Sequence, residues 1–288
     1  MLTHWNTKSR INWLVNLGEK YYWKLKNRKK ILREVKKYIM SAYLFPSFRL
    51  IEKVAAYAQG KGYGAGTIRQ EVATVLNRLG SRPLLVVDIG ANIGKYSQEL
   101  RDKQPDLELH LFEPASVNVQ KLNKAFSNDP FTTINPCGIS NIAGDATLFA
   151  NLPGSGLGSL TKRNLDHFEI DFNHQEEVRL IRFEEYWKST LNGRPIDIVK
   201  LDIEGHELDA LKSFGEALAA TKVIQFEFGG CNVDTQTHFQ AFFYFFKENG
   251  FSLSRITPLG LEVIDKYREL DEFYSTTNFV ATNRNLLG

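Results

Sequence analysis

The chain has 288 residues, 43% hydrophobic and 24% charged, with two cysteines, Cys137 and Cys231, far apart; these values fit a globular protein and count against a disulfide framework. No run reaches the roughly 18 apolar residues of a membrane span, and "MLTHWNTKSRINWLVNLG" lacks the apolar core of a signal peptide, so a soluble, cytoplasmic protein is expected. The net charge of +3 conceals an asymmetry: residues 1–50 carry twelve Lys or Arg against two acidic residues, and the remainder carries twenty-four against thirty-one.

The basic arm also holds Trp5, Trp13 and Trp23. Ile31, Leu32, Val35, Tyr38 and Ile39 recur at helical spacing with lysines and Arg33 between them, predicting an amphipathic helix with a basic outer face. "FPS" at Phe45–Ser47 predicts a break, with a second helix near Phe48–Ala58. "QGKGYGAG" reads as a flexible glycine-rich link. Thr67 and Gln70 form a capping box, and Ile68, Val72, Val75, Leu76 and Leu79 make the stripe of a third helix.

From Leu84 the pattern changes. "LLVVDIG", "LELHLFEP", "FTTINPCGI", "IDIVKLDIE" and "KVIQFEF" read as strands, the first as one buried on both faces. Helical stretches at Tyr96–Lys103, Ser116–Phe126 and Glu207–Leu218 separate several of them, which predicts a parallel sheet with right-handed crossovers. "NLDHFEIDFNHQEE" carries His167 and His174 without ligand spacing and reads as a solvated acidic connection. "FQAFFYFF" (Phe239–Phe246) predicts a buried helix. "FSLSRIT" and "FYSTTNFVATN" have no helix between them and predict an antiparallel pair at the sheet edge.

The turn in "VVDIGANIGKYS" follows the first strand and precedes a helix, where open α/β sheets bind ligands. In a dinucleotide fingerprint the second glycine lets the backbone approach a pyrophosphate; here Asn92 stands in its place. Asp88, just before the turn, would repel a pyrophosphate. An acid there suits a cofactor bearing an ammonium group, which points to S-adenosylmethionine; the plain alternative is a tight turn with no ligand. Glu113 ends the second strand 25 positions after Asp88, where an acid commonly accepts hydrogen bonds from ribose hydroxyls.

At these residues the sequence resembles the class I S-adenosylmethionine-dependent methyltransferases and, more narrowly, the FkbM family. The resemblance is carried by "VVDIGANIGKYS", "LFEP", "INPCGIS", "GSGLGSLT", "IDIVKLDIEGHELDALKSFG" and "QFEF", in family order from about Gly64 to Phe228. It implies a Rossmann-like α/β domain over residues 64–288, with a seven-stranded, mostly parallel sheet whose last strand is antiparallel; residues 1–63 are then a basic helical extension. It implies methyl transfer from S-adenosyl-L-methionine, leaving S-adenosyl-L-homocysteine, to a hydroxyl of a saccharide or natural-product scaffold. By position it implies Asp88, Gly90, Ala91, Asn92 and Gly94 around the methionyl part and Glu113 on the ribose. The segment Gly138–Ser140, with Ile139, should lie near the adenine, and Asp202 beside the transferable methyl. "NPCGIS" departs from the more apolar turn of many members.

"VKLDIEGHELDAL" then crowds Asp202, Glu204, His206 and Glu207 where a strand ends. Glu207 enters the following helix and suits its dipole. His206 is the candidate general base, since it accepts a proton near neutrality; the plain alternative is a loop-orienting hydrogen bond. Asp202 or Glu204 takes that role if burial or a neighbouring carboxylate raises its pKa. A third reading is a divalent metal held by Asp202, Glu204 and Glu227, with His206, on hard oxygen ligands. "HELDA" is not a zinc-protease motif, because Ala210 stands where the second histidine belongs.

"NLPGSGLGSLTKRN" reads as a lid that keeps water from the sulfonium, or as a plain surface loop. The basic arm reads as a solvated face packed on the domain or on another subunit, or as a peripheral contact of residues 1–50 with the inner membrane surface. The acidic remainder disfavours nucleic acid. Two alternatives to an O-methyltransferase stand: a non-catalytic module that docks through the arm, and an N-methyltransferase. The absence of a "DPPY"-like tetrapeptide after the fourth strand counts against the latter.

Overall fold

The computed structural model describes residues 28–64 and 68–287. Trp5, Trp13, Trp23 and the Thr67 half of the expected capping box lie outside the described residues; Gln70 accepts a hydrogen bond from the Tyr63 hydroxyl. The chain divides between Ala55 and Ala56 into two compact units. The expected boundary at residues 63 and 64 falls in the glycine-rich stretch, whose Gln59 carbonyl accepts a hydrogen bond from Arg255 at 3.4 Å.

All of the first unit's described chain lies in helix α1 (Arg28–Ala58), whose last three residues belong to the second unit. One helix runs where two were expected, and it passes through Pro46. Proline removes a single backbone donor; next to it the Ser47 hydroxyl donates to the Tyr43 carbonyl at 3.1 Å. The amphipathic pattern expected at its start does not extend along it, since the whole helix has no single apolar face.

After the end of α1 the second unit runs through α2 (Ile68–Leu79), β1 (Leu85–Ile89), α3 (Lys95–Lys103), β2 (Glu108–Phe112), α4 (Ser116–Ala125) and β3 (Thr132–Asn135). It continues with β4 (Gly138–Ile139), β5 (Gly144–Ala150), β6 (His174–Ile181), α5 (Phe183–Ser189), β7 (Ile196–Leu201), α6 (Glu207–Lys212) and β8 (Thr221–Phe228). It closes with α7 (Cys231–Asp234), α8 (Phe239–Glu248), β9 (Phe251–Thr257), β10 (Gly260–Val263) and β11 (Thr277–Asn283).

The main sheet has eight strands in the order β10-β9-β11-β8-β7-β1-β2-β3, not seven. Strands β3, β2, β1, β7 and β8 run parallel. The last strand, β11, is antiparallel as expected but lies inside the sheet, between β8 and β9. The turn at Pro258–Leu259 adds β10 as the edge. β10 is short and has no buried residue, so it leaves no apolar run to read. A second sheet, β4-β6-β5, replaces part of the expected acidic connection. β6 buries only Val178 and Leu180, and its acidic outer face masks it in the sequence.

All residues of β1 and β7 are buried, as apolar runs in a sheet covered on both faces require. Phe226 of β8 stacks on Phe242, Phe246 and Phe279 with ring centroids 4.9–5.3 Å apart. Replacing Phe226 with Ala is expected to cost about 3–5 kcal/mol of stability, measured as a lower denaturant midpoint at unchanged slope.

Candidate active site

The carboxyl ends of β1, β2, β7 and β8 border two adjoining cavities of ≈ 170 and ≈ 240 Å³. Gly90, Asn92, Asp202 and Glu227 line both. Glu113, Asn118, Ile139, Glu204 and His206 complete the first; Asp88, Ala91, Glu71, Tyr96, Lys200 and Asn278 complete the second.

Backbone geometry at the glycine turn creates this arrangement. Gly90 has φ +82°, and a β-carbon there would overlap the Asp202 carbonyl. Its N–H and that of Ala91 donate to the Phe112 carbonyl at 2.9 and 3.0 Å, so the loops after β1, β2 and β7 meet. Gly94 lines neither cavity. It also has φ +82°, and a β-carbon would strike Leu122 and Phe126 at the end of α4. The structure therefore assigns Gly94 to the turn and not to the cavity wall.

Asp88 is buried and accepts a 2.6 Å hydrogen bond from the Ser97 hydroxyl. Burial pushes its carboxyl up to about 6, against the pull of Lys200 and Ser97. The Lys200 ammonium donates to Asp202 Oδ2 at 2.8 Å and lies 5.4 Å above the Tyr96 ring. Burial alone would lower the Lys200 pKa, but the carboxylates of Asp202, Glu71 and Asp88 raise it above the ordinary value. The Tyr96 hydroxyl donates to Gln225 Oε1 at 2.8 Å, and Gln225 Nε2 donates to Glu71 at 2.6 Å. Sequence reasoning missed Lys200, Glu71, Tyr96, Gln225 and Asn278. Two signals were available: a lysine inside the apolar run "IDIVKLDI", and Glu71 on the apolar stripe of α2, both unusual unless paired.

Glu113 is 6% exposed, and burial raises its pKa despite its hydrogen bonds. It accepts the N–H of Asn92 at 2.8 Å on one oxygen and that of Ala115 at 3.0 Å on the other. Asn118 is buried beside it, and its Oδ1 has no hydrogen-bond partner.

The four residues that crowd the end of β7 have separate surroundings. Glu204 accepts 2.7 Å from Arg163 Nη1. Burial, reinforced by Asp202 and opposed by Arg163, pushes its carboxyl up to about 8. His206 Nε2 lies 3.0 Å from the Thr161 hydroxyl, and Nδ1 lies 3.4 Å from Asp209 Oδ2. Hydrogen bonding to His206 holds the Asp209 carboxyl below its ordinary value. Glu207 is buried and accepts the N–H groups of Ile203 and Gly205 at 2.9 and 3.2 Å, so it closes the loop. Burial, then Asp202 and Glu204, push Glu227 well above the carboxylate range. Asp202, Glu204 and Glu227 thus share the first cavity, yet no group of three His, Cys, Asp or Glu among the described residues is arranged to hold a metal ion. Lys200 and Arg163 engage the first two.

The loop Asn151–Asn164 crosses the first cavity, which Ser155, Gly156, Gly158 and Leu160 line. Phe149 and Ser159 exchange backbone hydrogen bonds at 2.8 and 2.9 Å. The Ser159 hydroxyl donates to the Glu204 carbonyl at 2.8 Å, and Arg163 also reaches Asp234 at 3.2 Å.

The sheet order, the glycine turn after β1 and the cavities at the strand ends define a Rossmann-like α/β methyltransferase fold. Residues 88–253 match the model of the methyltransferase FkbM domain; the chain belongs to that family. It is 31% identical over 159 residues to Methyltransferase sdnD of Sordaria araneosa, covering 46% of this chain and 60% of that protein. It is 22% identical over 145 residues to Methyltransferase 1 of Beauveria bassiana, covering 46% of this chain and 58% of that one. Each match therefore spans less than two thirds of the relative's length. Among solved structures, the plantazolicin methyltransferase BpumL in complex with SAH is 9% identical with a TM-score of 0.43, covering 85% of this chain and 93% of that one.

The raised carboxyls set a pH dependence. Glu204, near 8 in the fold against an ordinary 4.5, and Asp88, near 6 against 3.8, bind protons more tightly folded than unfolded. Stability from these groups is full below their unfolded values and is lost as pH rises through 6 and 8. Thermal denaturation without ligand should show Tm falling as pH rises across that window, and Glu204→Gln should flatten the upper part of the fall.

Proposed function

We propose that this chain transfers the methyl group of S-adenosylmethionine to a hydroxyl of a saccharide or natural-product scaffold. The observation that carries this reading is the second cavity, where Glu71, Asp88, Asp202 and Glu227 face one buried lysine and Lys95. That surplus of carboxylates suits an ammonium-bearing tail and repels a pyrophosphate. Glu113 and the unpartnered Asn118 Oδ1 in the adjoining cavity are acceptors suited to ribose hydroxyls or a base amino group. When bound, the cofactor supplies an electrophilic methyl on a sulfonium.

The residues divide the remaining work. Asp88 and Asp202 hold the ammonium, Glu113 the ribose, and Ile139 faces the base. In the tautomer with its proton on Nδ1, His206 donates to Asp209 and keeps Nε2 as proton acceptor. The Thr161 hydroxyl bonds to Nε2; the acceptor hydroxyl takes its place, gives its proton to Nε2 and attacks in line. The loop carrying Thr161 excludes water. Glu204 is a second reading for the base, favoured by its pKa of about 8. Positioning supplies most of the rate, since the sulfonium is already a good leaving group.

Calorimetric titration with S-adenosylhomocysteine tests the cofactor. The unmodified chain should bind, and Asp88→Asn should weaken binding about 10- to 100-fold, the loss of one charged hydrogen bond. No binding by folded protein would overturn the reading. With an acceptor from a panel of sugars and glycosides, His206→Gln should lower kcat about 100-fold or more at little change in KM. A loss confined to Glu204→Gln would assign the base to Glu204.

A further inference from the structure

Within its own unit, helix α1 carries apolar side chains that no described residue covers. Met40, Tyr43, Leu44, Leu50, Ile51 and Val54 are 41–75% exposed. Together with Ser47 they fall at helical spacing along one side of this stretch, while the exposed Phe45 and Phe48 lie outside it. Arg49 and Lys53 fall on the opposite side, with Glu52 as the single acid between Met40 and Ala58. Monomeric proteins seldom leave so much contiguous apolar surface in water.

Charge selects the occupant. Residues 1–50 hold twelve Lys or Arg against two acids, so two copies of the arm repel each other. Ser47 also interrupts the apolar side at its centre, so the side lacks the unbroken apolar repeat of a coiled-coil seam. An anionic lipid surface satisfies both features: acyl chains accept an irregular apolar side without a matching groove, and lipid phosphates pair with the lysines and arginines. Ten charged residues within Arg28–Ala58 forbid a transmembrane path, and no helix among the described residues is long and apolar enough to cross a membrane. We propose that α1 lies along an anionic membrane surface, with the Met40–Val54 side at the boundary between headgroups and acyl chains.

Co-sedimentation of the full chain with vesicles tests this. Vesicles of equal parts phosphatidylglycerol and phosphatidylcholine should carry the protein down, and vesicles of phosphatidylcholine alone should not. Leu44→Glu combined with Ile51→Glu should lower the affinity at least about tenfold, with methyl transfer and helix content in solution unchanged. No binding to the anionic vesicles overturns the proposal. So does equal binding by the double variant, which would leave charge alone as the cause. Sedimentation velocity without lipid supplies the third arm: a dimer that the same two substitutions dissociate would assign the apolar side to a second copy and overturn the lipid assignment.

Discussion

The close approach of Gly90 to the Asp202 carbonyl governs the catalytic domain. Strands β1, β2 and β7 end level, with Ile89 paired to Phe112 on one side and to Leu201 on the other. Three loops therefore leave the sheet at one height. The Asp202 N–H donates to the Ile89 carbonyl at 3.0 Å, which draws the loop after β7 over the first turn. Only a residue without a β-carbon leaves room for that crossing. The cavities share a wall because these backbones touch.

Electrostatics follows from that crowding. Asp88, Asp202, Glu204, Glu207 and Glu227 come from three strand ends, with Lys200 and Arg163 as the engaged cations. Asp88, Glu204, Glu207 and Glu227 are all displaced upward, with burial as the first cause. Such a site is poorest in energy when every acid is ionised and gains most from a ligand that brings positive charge. Arg163 belongs to the loop over the first cavity and bonds Glu204 and Asp234 together, so the same acidity that favours a cationic ligand also fastens the loop.

The second cavity is completed by parts of the chain outside the family match at residues 88–253. Glu71 arrives from α2. Asn278 arrives from β11, whose antiparallel insertion sets it opposite Glu227. Gln225 connects the two, donating to Glu71 at 2.6 Å and lying 3.5 Å from Asn278. The acidic compartment thus combines the family's strand-end residues with a polar network supplied by the flanking elements.

What the sequence determined by itself was local. The apolar runs at Leu85–Ile89 and Ile196–Leu201, the turn from Gly90 to Gly94, and acids at the ends of strands are patterns of neighbours, and period and residue type suffice to read them. Tertiary structure decided whatever depends on which elements meet. The sequence placed β11 in an edge pair because no helix separates it from "FSLSRIT", yet all its residues are covered once it inserts between β8 and β9. Gly94 belongs to the glycine pattern in the sequence, and only packing on α4 reveals that it serves the turn. Lys200 reads as an anomaly in an apolar strand until Asp202, Glu71 and Asp88 surround it. Pro46 reads as a break until the rest of the helix's hydrogen bonds carry it through. In each case the deciding contact is long-range or cooperative, and local spacing cannot encode it.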